Sequence, residues 1–566
     1  MKNKELADIF DRIGDALEFK GENPFKISAY RKAARVLRDL TEDIESYQRE
    51  GRLTEIPGVG EGIAKKIDEW LTTGKMKKYE EVTSDIPAKL LDLLRIMGLG
   101  PKTLSLAHRE LGIADIDDLK RVIEDGSLQE LPGMGAKKVL NIVRGMQLFE
   151  LSGERIPLGV AFPVVEEVVG RLKEEKSVKG ISPAGSLRRM KETVGDLDIL
   201  ATGRRGGEII EKFTRLPTVK EILTAGETKG SVVVEGGTQI DLRVVPEGSY
   251  GAALQYLTGS KPHNVKLRGM ARDRGLKISE YGVFRGKKRI AGRTEDDVYQ
   301  SLELPWIPPE LREDRGEVEA AVEGHLPTLL GYDEIRGDFH VHSNYSDGAA
   351  TIEEIAGRAE QLGYEWIVIA DHSKSVKFAR GLSEDRLLEQ IEEIKKVNKK
   401  LAGLRVLSGA EVDITQDGSL DYSDEILKRL DVVIAAVHIA FKKNVTKRIV
   451  SAMENPNVDI IAHPTGRLIS SREGYDIDLD RIMEKAALTN TALEINAYFD
   501  RLDLNDTNCR KAKDLGVKFA IGTDAHNLGM LWYAKLGVGV ARRGWLERGD
   551  VLNSCSWPEL ERILKR

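Results

Sequence analysis

The fold of the middle of the chain is decided by residues 182–203, SPAGSLRRMKETVGDLDILATG. The stretch ends in an apolar strand, where Asp196 and Asp198 are expected on one face because side chains alternate along a strand. Two such carboxylates can share Mg²⁺, which prefers oxygen ligands. Asp241, in the strand-like TQIDLRVV, is the candidate third acid for two-metal transfer of a phosphoryl group. The pattern therefore predicts a mixed helix-and-strand domain with a catalytic metal site.

A candidate triphosphate site lies just before these acids. Gly185 and Ser186 offer backbone N–H groups and a hydroxyl, and Arg189 can neutralise phosphate charge. An isolated Asp-x-Asp is usually a solvated turn or a helix cap. The Gly-Ser pair, the arginines and the distant third acid together favour catalysis.

The C-terminal part predicts a second metal site. Short apolar strands alternate there with amphipathic helices, which is typical of a parallel β/α barrel or barrel-like layer. Nine nitrogen and oxygen donors follow these strands: His340, His342, Asp347, His372, Glu411, His438, His463, Asp524 and His526. In β/α barrels the C-terminal strand ends meet at one mouth. A lone histidine at such a position is usually a hydrogen-bonded core residue. Nine donors at consecutive strand ends instead favour a metal cluster. Because none of the nine is a thiolate, a structural zinc site is disfavoured.

Residues 1–150 predict short amphipathic helices separated by glycine-containing turns, with a weak threefold repeat. Paired glycines allow close approach to a phosphate, and the next helix offers free N–H groups. We therefore expect sequence-independent binding of the DNA backbone. The candidate contacts are Gly58, Gly60, Lys65 and Lys66 in the first copy, Gly98, Gly100 and Lys102 in the second, and Gly133, Gly135, Lys137 and Lys138 in the third.

The composition of the chain constrains how it could contact DNA and argues against a disulfide-rich or membrane protein. The chain has 566 residues and a formal charge of −6, so DNA contacts must come from local basic patches. It has two cysteines and no apolar run long enough for a membrane span, so a disulfide framework and a membrane protein are not expected. We expect a monomeric cytoplasmic protein.

The motifs Gly185-Ser186, Arg188-Arg189, Asp196-x-Asp198 and Ile240-Asp241 resemble the palm of family X DNA polymerases, the polymerase β-like group. The resemblance continues through residues 254–281. It implies that Tyr256 lies against the incoming sugar, that Gly259 makes a sharp turn, that Asn264 contacts the base and that Arg268 lies on the template side. Leu257 replaces an aromatic residue often found in the family.

Residues 1–80 resemble the small domain that binds a 5′-phosphate in this family. By that resemblance Lys66 matches a Schiff-base lysine of 5′-deoxyribose-phosphate lyases, with Lys26, Tyr30 and Lys78 supporting phosphate binding. A phosphate-binding role for Lys66 and lyase chemistry both stay open.

Residues 335 to about 565 resemble the PHP (polymerase and histidinol phosphatase) family, whose fold is a distorted β/α barrel. The resemblance implies up to three ions of Mn²⁺, Zn²⁺ or Fe that act on a phosphate ester. One ion would use His340, His342, Glu411 and Asp524, a second Asp347, His372 and His526, and a third Glu411, His438 and His463. Arg380, Lys374 and Arg467 are candidates to hold substrate phosphate.

The order of these segments predicts a multidomain enzyme for DNA repair. The expected parts are a 5′-end-binding helix-hairpin-helix domain (1–80), a second helical DNA-binding subdomain (81–150), the palm (151–250), a nucleotide-binding subdomain (251–315), an exposed linker (316–335) and a PHP phosphoesterase domain (336–566). The expected substrates are gapped or primer–template DNA and deoxynucleoside triphosphates, with Mg²⁺ or Mn²⁺ in the palm. The PHP site would act as a 3′–5′ exonuclease, a 3′-phosphatase or an abasic-site nuclease. A nucleotidyltransferase fused to a small-molecule phosphatase and a non-catalytic DNA-end scaffold are the alternatives.

Overall fold

A computed structural model of the protein describes residues 2–39, 44–56, 59–87, 89–96, 99–135, 138–139, 142, 146, 155–234, 238–469 and 471–564. The chain divides into two compact units. The first comprises Met1–Glu154 with Ser470–Arg472, and the second comprises Arg155–Ile469 with Glu473–Arg566. No described helix is long and apolar enough to cross a lipid bilayer.

The first unit is helical in its described residues, as the sequence predicts. Its α-helices are α1 (Lys2–Phe19), α2 (Pro24–Asp39), α3 (Ile44–Arg49), α4 (Glu61–Thr73), α5 (Lys77–Thr83), α6 (Pro101–Leu111), α7 (Ile116–Glu124) and α8 (Ser127–Glu130). Helices α4 and α6 end at Gly74 and Gly112, both in the left-handed region that glycine adopts without strain. Amphipathic faces from these helices form one hydrophobic core.

The palm in the second unit is a five-stranded sheet in the order β2-β4-β7-β6-β5. Its strands are β2 (Val178–Pro183), β4 (Leu197–Gly203), β5 (Val219–Ala225), β6 (Lys229–Val234) and β7 (Gln239–Val245), and a small pair is formed by β1 (Ile156–Pro157) and β3 (Thr193–Val194). Strands β4 and β7 are parallel, whereas the other pairs of the five-stranded sheet are antiparallel. The associated helices are α9 (Leu158–Lys173), α10 (Gly185–Arg188) and α11 (Gly206–Thr214).

A smaller subdomain follows the palm and packs around its own hydrophobic cluster. It contains α12 (Tyr250–Thr258), α13 (Lys261–Asp273), β8 (Lys277–Ser279), β9 (Gly282–Arg285), β10 (Lys288–Ala291) and α14 (Glu295–Gln300). The three strands form an antiparallel sheet.

PWIPPELRED at 305–314 and the charged stretch to about 335 predict an exposed linker, but the structure buries part of this stretch, which corrects that expectation. Arg312 and Glu317 are fully buried, and helix α15 (Glu317–Glu323) packs into the preceding cluster. The Arg312 guanidinium pairs with Glu295 at 2.7 Å. A buried charge is tolerated only with such a partner, and the partner is invisible in the local sequence.

The PHP region is a nearly closed barrel of seven parallel strands that neighbour one another in chain order. They are β11 (Gly337–Val341), β12 (Trp366–Ile369), β13 (Arg405–Asp413), β14 (Val432–Ala436), β15 (Ile460–Ile461), β16 (Ala492–Asn496) and β17 (Phe519–Gly522). Just beyond the first and last strands, His342 donates its backbone N–H to Ala525 and Asp524 donates to His340, at 2.9 and 2.8 Å. These bonds bring the two ends of the sheet together.

Helices cover the outside of this barrel, as expected for parallel strands. They are α16 (Ile352–Gln361), α17 (Glu384–Asn398), α18 (Asp424–Leu427), α19 (Val445–Ala452), α20 (Leu479–Thr489), α21 (Asp506–Asp514), α22 (Ala534–Arg543) and α23 (Trp557–Leu564). One hydrophobic cluster contains residues from both the palm and the barrel. Met190 of the palm, for example, packs against Gly539 of α22, where an added Cβ would lie 2.5 Å from the methionine Cε.

Candidate active sites

The palm acids lie on neighbouring parallel strands. Asp198 of β4 is the direct register partner of Asp241 of β7, and Asp196 precedes β4 by one residue and is exposed. Burial raises the pKa of Asp198, and the charges of Asp196 and Asp241 raise it further. The three acids are therefore close enough to repel one another. Such a set of oxygen donors fits Mg²⁺ or Mn²⁺.

Asp241 has partners that the sequence pattern did not indicate. Its carboxylate pairs with Lys229 at 2.8 Å and accepts hydrogen bonds from Ser231 and Gln239 at 2.7 and 2.9 Å. Burial would raise the pKa of Asp241, but these donors lower it below its usual value. Lys229 and Ser231 come from β6, which neighbours β7 only after the sheet has formed.

Gly185 brings the backbone close to the acids. Its φ is +63°, and a Cβ built at this position would lie 3.6 Å from Asp198 Oδ2. Ser186 and Arg189 line a cavity of about 420 Å³. Its basic lining residues are Arg155, Arg189, Lys191, Arg315 and Arg543. Glu192 and Asp506 also line it, so the cavity has an excess of positive over negative side chains next to the Gly-Ser turn.

Arg189 itself is engaged within this cavity. Its guanidinium pairs with Glu313 at 2.9 Å and donates to the backbone oxygen of Thr258. The buried Arg543 of α22 donates to the backbone oxygen of Arg189 at 2.7 Å and to Glu313 at 3.0 Å. An arginine of the PHP region thus supports the palm helix that carries the candidate triphosphate residues. Neither Arg155 nor Arg543 was identified from the sequence as a site residue, because neither belongs to a recognised motif.

The candidate sugar and base contacts lie on α12, on α13 and at the turn between them. Gly259 makes that turn with φ +70°. The Asn264 side chain donates to the Tyr256 carbonyl at 2.8 Å and accepts from Gln255 at 2.7 Å. Arg268 is exposed one turn later on α13. Tyr256 and Asn264 are brought together, and Asn264 fixes the two helices against each other.

The nine C-terminal donors converge at the mouth of the barrel, with Glu411 at their centre. Its carboxylate lies 2.8 Å from His372 Nδ1, 2.9 Å from His463 Nε2 and 3.2 Å from His438 Nε2. His340 and His342 approach the same carboxylate to 3.6 and 3.8 Å.

Two further acids complete the cluster. Asp524 Oδ1 lies 3.1 Å from His342 Nε2, and Asp347 Oδ1 lies 3.4 Å from His526 Nε2 and 3.7 Å from His372 Nε2. The groups with ligand atoms within 4.8 Å of one another are His342, Asp347, His372 and His526; His340, His342 and Asp524; and His372, Glu411 and His438.

Buried atoms without hydrogen bonds show that this cluster fits metal ions. Among the described residues, the unsatisfied atoms include His342 Nδ1, His372 Nδ1, His438 Nδ1, His463 Nδ1 and Glu411 Oε2. His372 Nδ1 and Glu411 Oε2 are close, yet they do not form a hydrogen bond. Buried polar groups normally have hydrogen-bond partners. His372 Nδ1 and Glu411 Oε2 face each other, and Nε2 of His438 and His463 points at the same carboxylate, so the donors converge as two or three cations require. The nitrogen–oxygen set suits Mn²⁺, Zn²⁺ or Fe.

The electrostatics agree with this interpretation. Burial opposes ionisation of Glu411 and Asp524, but the surrounding histidines hold both pKa values well below the usual range. Burial and the neighbouring His526 and His372 lower the pKa of His342 to about 4, which leaves its ring neutral and able to bind a metal.

Supporting residues around the cluster were not identified from the sequence. Glu494 of β16 accepts from His340 Nδ1 at 2.7 Å and from the backbone N–H of His463 at 2.6 Å. Asp413 lies 3.6 Å from His438 Nδ1. Such partners fix the orientation of ligand histidines. The sequence did carry one indication of such supporting residues, because Glu494 and Asn496 are polar side chains within the mostly apolar strand TALEIN.

In the first unit, Gly60 and Gly100 immediately precede helices α4 and α6, and Gly133 has φ +76°. Lys65 and Lys102 are exposed, whereas Lys138 donates to Thr103 at 3.0 Å. Gly135 precedes the third predicted helix and accepts from the backbone N–H of Lys138 at 2.8 Å. The predicted contacts Gly58, Gly98 and Lys137 lie outside the described residues.

Lys66 lies over the ring of Tyr30, with 5.8 Å between its Nζ and the ring centroid. Its Nζ donates to the Gly62 carbonyl at 2.8 Å. Burial and the charge of Lys78 lower the pKa of Lys66. Lys26 and Lys78 pair with Glu22 and Glu81 at 3.3 and 2.8 Å.

Family models match four parts of the chain. They are a helix-hairpin-helix domain over residues 1–76, a SAM-like helix-hairpin-helix tandem over 90–147, the DNA polymerase beta thumb over 253–313 and the PHP domain over 338–501. The DNA polymerase/3′-5′ exonuclease PolX of Bacillus subtilis (strain 168) is 40% identical over 573 residues, which cover 100% of both chains. The chain belongs to the family X DNA polymerases that carry a PHP domain.

Two other relatives each match part of the chain. DNA polymerase lambda of Arabidopsis thaliana is 28% identical over 55% of the chain and 62% of its own length. A probable phosphatase of Thermoanaerobacter sp. (strain X514) is 34% identical over 33% of the chain and 78% of its own length. The predicted family and the predicted order of helix-hairpin-helix, polymerase and PHP parts are confirmed.

Proposed function

We propose that the protein fills short gaps in DNA by adding deoxynucleotides and trims DNA 3′ ends as a 3′–5′ exonuclease. One observation carries the proposal: two separate metal-type clusters, at the palm acids and at Glu411, occur in a chain that matches a polymerase/exonuclease over its full length. The helix-hairpin-helix units support DNA as the substrate.

In the polymerase site we assign Asp196, Asp198 and Asp241 to Mg²⁺ or Mn²⁺, and Asp241 also to accept the proton of the primer 3′-hydroxyl. Bound cations would polarise the phosphoryl oxygens and stabilise the charge of the transition state. Ser186, Arg189 and Arg155 would hold the triphosphate. Because Arg189 pairs with Glu313, the triphosphate must compete with that carboxylate.

Tyr256 would lie against the sugar, Asn264 would contact the base, and Arg268 would reach the template. In the PHP site we assign the nine donors to two or three ions of Mn²⁺, Zn²⁺ or Fe. The hairpins would bind phosphates through Gly58, Gly60, Gly98, Gly100, Gly133 and Gly135 and the lysines that follow.

Both sites are built from one chain, which supports a monomer. Cys509 and Cys555 are free thiols, which supports a reducing compartment such as the cytoplasm.

The test uses gapped DNA labelled on the primer and ending in a 3′-hydroxyl, a 3′-phosphate or a mismatched nucleotide. We expect extension of the 3′-hydroxyl primer and stepwise removal of the mismatched end. A non-catalytic DNA-end scaffold would neither extend the primer nor remove the mismatched nucleotide. A fused small-molecule phosphatase would leave all three DNA ends intact and would hydrolyse sugar or amino-alcohol phosphates instead. Release of phosphate from the 3′-phosphate end alone would replace the exonuclease by a 3′-phosphatase.

Lys66 supports a further activity, 5′-deoxyribose-phosphate lyase, because a lysine with a lowered pKa can attack an aldehyde. We expect borohydride to trap wild-type protein on a gap that bears a 5′-deoxyribose phosphate. Lys66→Ala should lower trapping at least about tenfold, whereas Lys32→Ala, at an exposed lysine of α2 outside the predicted phosphate contacts, should be trapped normally. Equal trapping of Lys66→Ala and wild type would restrict Lys66 to phosphate binding.

Arg543 should affect nucleotide addition although it belongs to the PHP region. Replacing it by methionine removes one of the two cations that Glu313 and Asp506 each contact, since Arg189 and Arg315 remain, and it removes the bond to the Arg189 backbone. We expect the KM for the nucleotide to rise about tenfold, while exonuclease activity changes less than about twofold. Single-nucleotide gap kinetics measure both values.

Lys535→Met is the matched control, because Lys535 lies on the same helix in an exposed pair with Glu166. An unaltered nucleotide KM in Arg543→Met would contradict a role for the PHP helix in the polymerase site.

A further inference from the structure

Arg501 is a cation inside the PHP cluster that the nine predicted ligands do not explain. It follows β16 in the segment AYFDRL, and its side chain is 18% exposed. Its Nε lies 3.6 Å from Asp524 Oδ2. Burial and then the charge of Arg501 lower the pKa of His463 to about 4.

One end of this guanidinium has no partner. Among the described residues, Arg501 Nη1 is buried and makes no hydrogen bond. A buried N–H group of an arginine is costly to leave unused. The distance from Nε to Asp524 is also longer than a hydrogen bond, so the contact with Asp524 is electrostatic only.

The charge of the cluster predicts what would satisfy Arg501. The ligands Asp347, Glu411 and Asp524 bring three negative charges, and Glu494 and Asp413 beside the ligand histidines bring up to two more. Three divalent cations together with the guanidinium would outweigh all five, so the filled site would favour an anion. The planar fork of an arginine matches two oxygens of one phosphate.

The other candidate phosphate-binding cations are less suited. Arg467 pairs with Glu192 at 2.7 Å and donates to the backbone oxygens of Arg501 and Leu502 at 3.0 and 2.6 Å. Lys374 pairs with Glu384 at 3.1 Å, and Arg380 is exposed on the loop after His372. Arg467 thus holds the backbone that presents Arg501, and among these four described cations only Arg501 has a buried N–H group without a hydrogen bond.

We propose that Arg501 binds the non-bridging oxygens of the scissile phosphate at the DNA 3′ end, through Nη1 and Nη2. This inference rests on the proposed 3′-end processing. When cations occupy Asp524, its carboxylate no longer competes for the guanidinium, which is then available to the phosphate. The same bonds would help to stabilise charge that develops on the phosphate during cleavage.

The experiment compares full-length, metal-loaded wild type with Arg501→Ala and Arg501→Lys. The probe is inorganic phosphate, and its binding is measured by calorimetry and by inhibition of mismatch removal. We expect Arg501→Ala to bind phosphate about 10- to 100-fold more weakly, to retain its metal content and to lose kcat for removal of the 3′ nucleotide. Arg501→Lys should recover part of the phosphate affinity, and added guanidinium should rescue Arg501→Ala.

Arg481→Ala, at an exposed arginine of α20, is the control and should match wild type. Unchanged phosphate affinity in Arg501→Ala would overturn the inference, as would loss of metal in both Arg501 variants, because Arg501 would then serve the metal site itself. If wild type binds phosphate through Arg501 but trims no DNA end, phosphate binding by Arg501 is confirmed and a DNA 3′ end as the source of that phosphate is excluded.

Discussion

Asp198→Asn should lower nucleotide addition on single-nucleotide gaps by about 10³-fold, because electrostatic stabilisation of the phosphoryl charge is usually the largest catalytic contribution. Asp198 lies directly opposite Asp241, and the neutral amide is a poorer ligand for a hard cation. Removal of a mismatched 3′ nucleotide should change less than about twofold, since its donors belong to a separate cluster.

Glu211→Gln is the matched control for this variant. Glu211 is an exposed carboxylate of the palm that pairs with Arg215 at 2.9 Å, and its loss should leave both activities near the wild-type values. Primer extension and mismatch removal are measured on the same DNA. Loss of both activities in Asp198→Asn would contradict two independent sites.

Glu411→Gln should have the opposite effect and lower mismatch removal by about 10³-fold with nucleotide addition preserved. Glu411 is buried and lies within 3.2 Å of His372, His438 and His463, so its carboxylate is the shared centre of the cluster. Replacing it by an amide removes the charge that holds cations between these rings. The bound metal per chain, measured by elemental analysis, should therefore fall together with the activity.

Glu384→Gln serves as the control, because Glu384 forms an exposed pair with Lys374 beside the same barrel. It should retain its metal and its exonuclease activity. A Glu411→Gln protein with full metal content and full mismatch removal would exclude the cluster as the exonuclease site.

The candidate sites were largely predictable because both depend on local rules. Alternation in DLDIL and the paired strand around Asp241 predict acids at one sheet face, and Asp198 and Asp241 are indeed register partners. For the barrel, His372, His438 and His463 each follow an apolar strand, and parallel strands present such ends together. The order of residues along the strands was sufficient in both cases.

The site residues that were not identified from the sequence act through contacts between distant parts of the chain. Lys229 reaches Asp241 from a neighbouring strand, and Arg543 reaches Arg189 across 354 positions of sequence. The misjudged linker has the same cause. Charged and proline-rich residues around Arg312 suggest exposure, but Glu295 neutralises that arginine inside the protein. No short motif contains both partners of such a pair.

One hydrophobic cluster extends through both the palm and the barrel, so the folded stability of each half depends on the other. A truncated polymerase without the barrel would expose apolar side chains such as Met190 to water, where they promote aggregation. A destabilising substitution in the nuclease would likewise reduce the cellular abundance of active polymerase. A substitution that destabilises either half should therefore lower both activities of the chain.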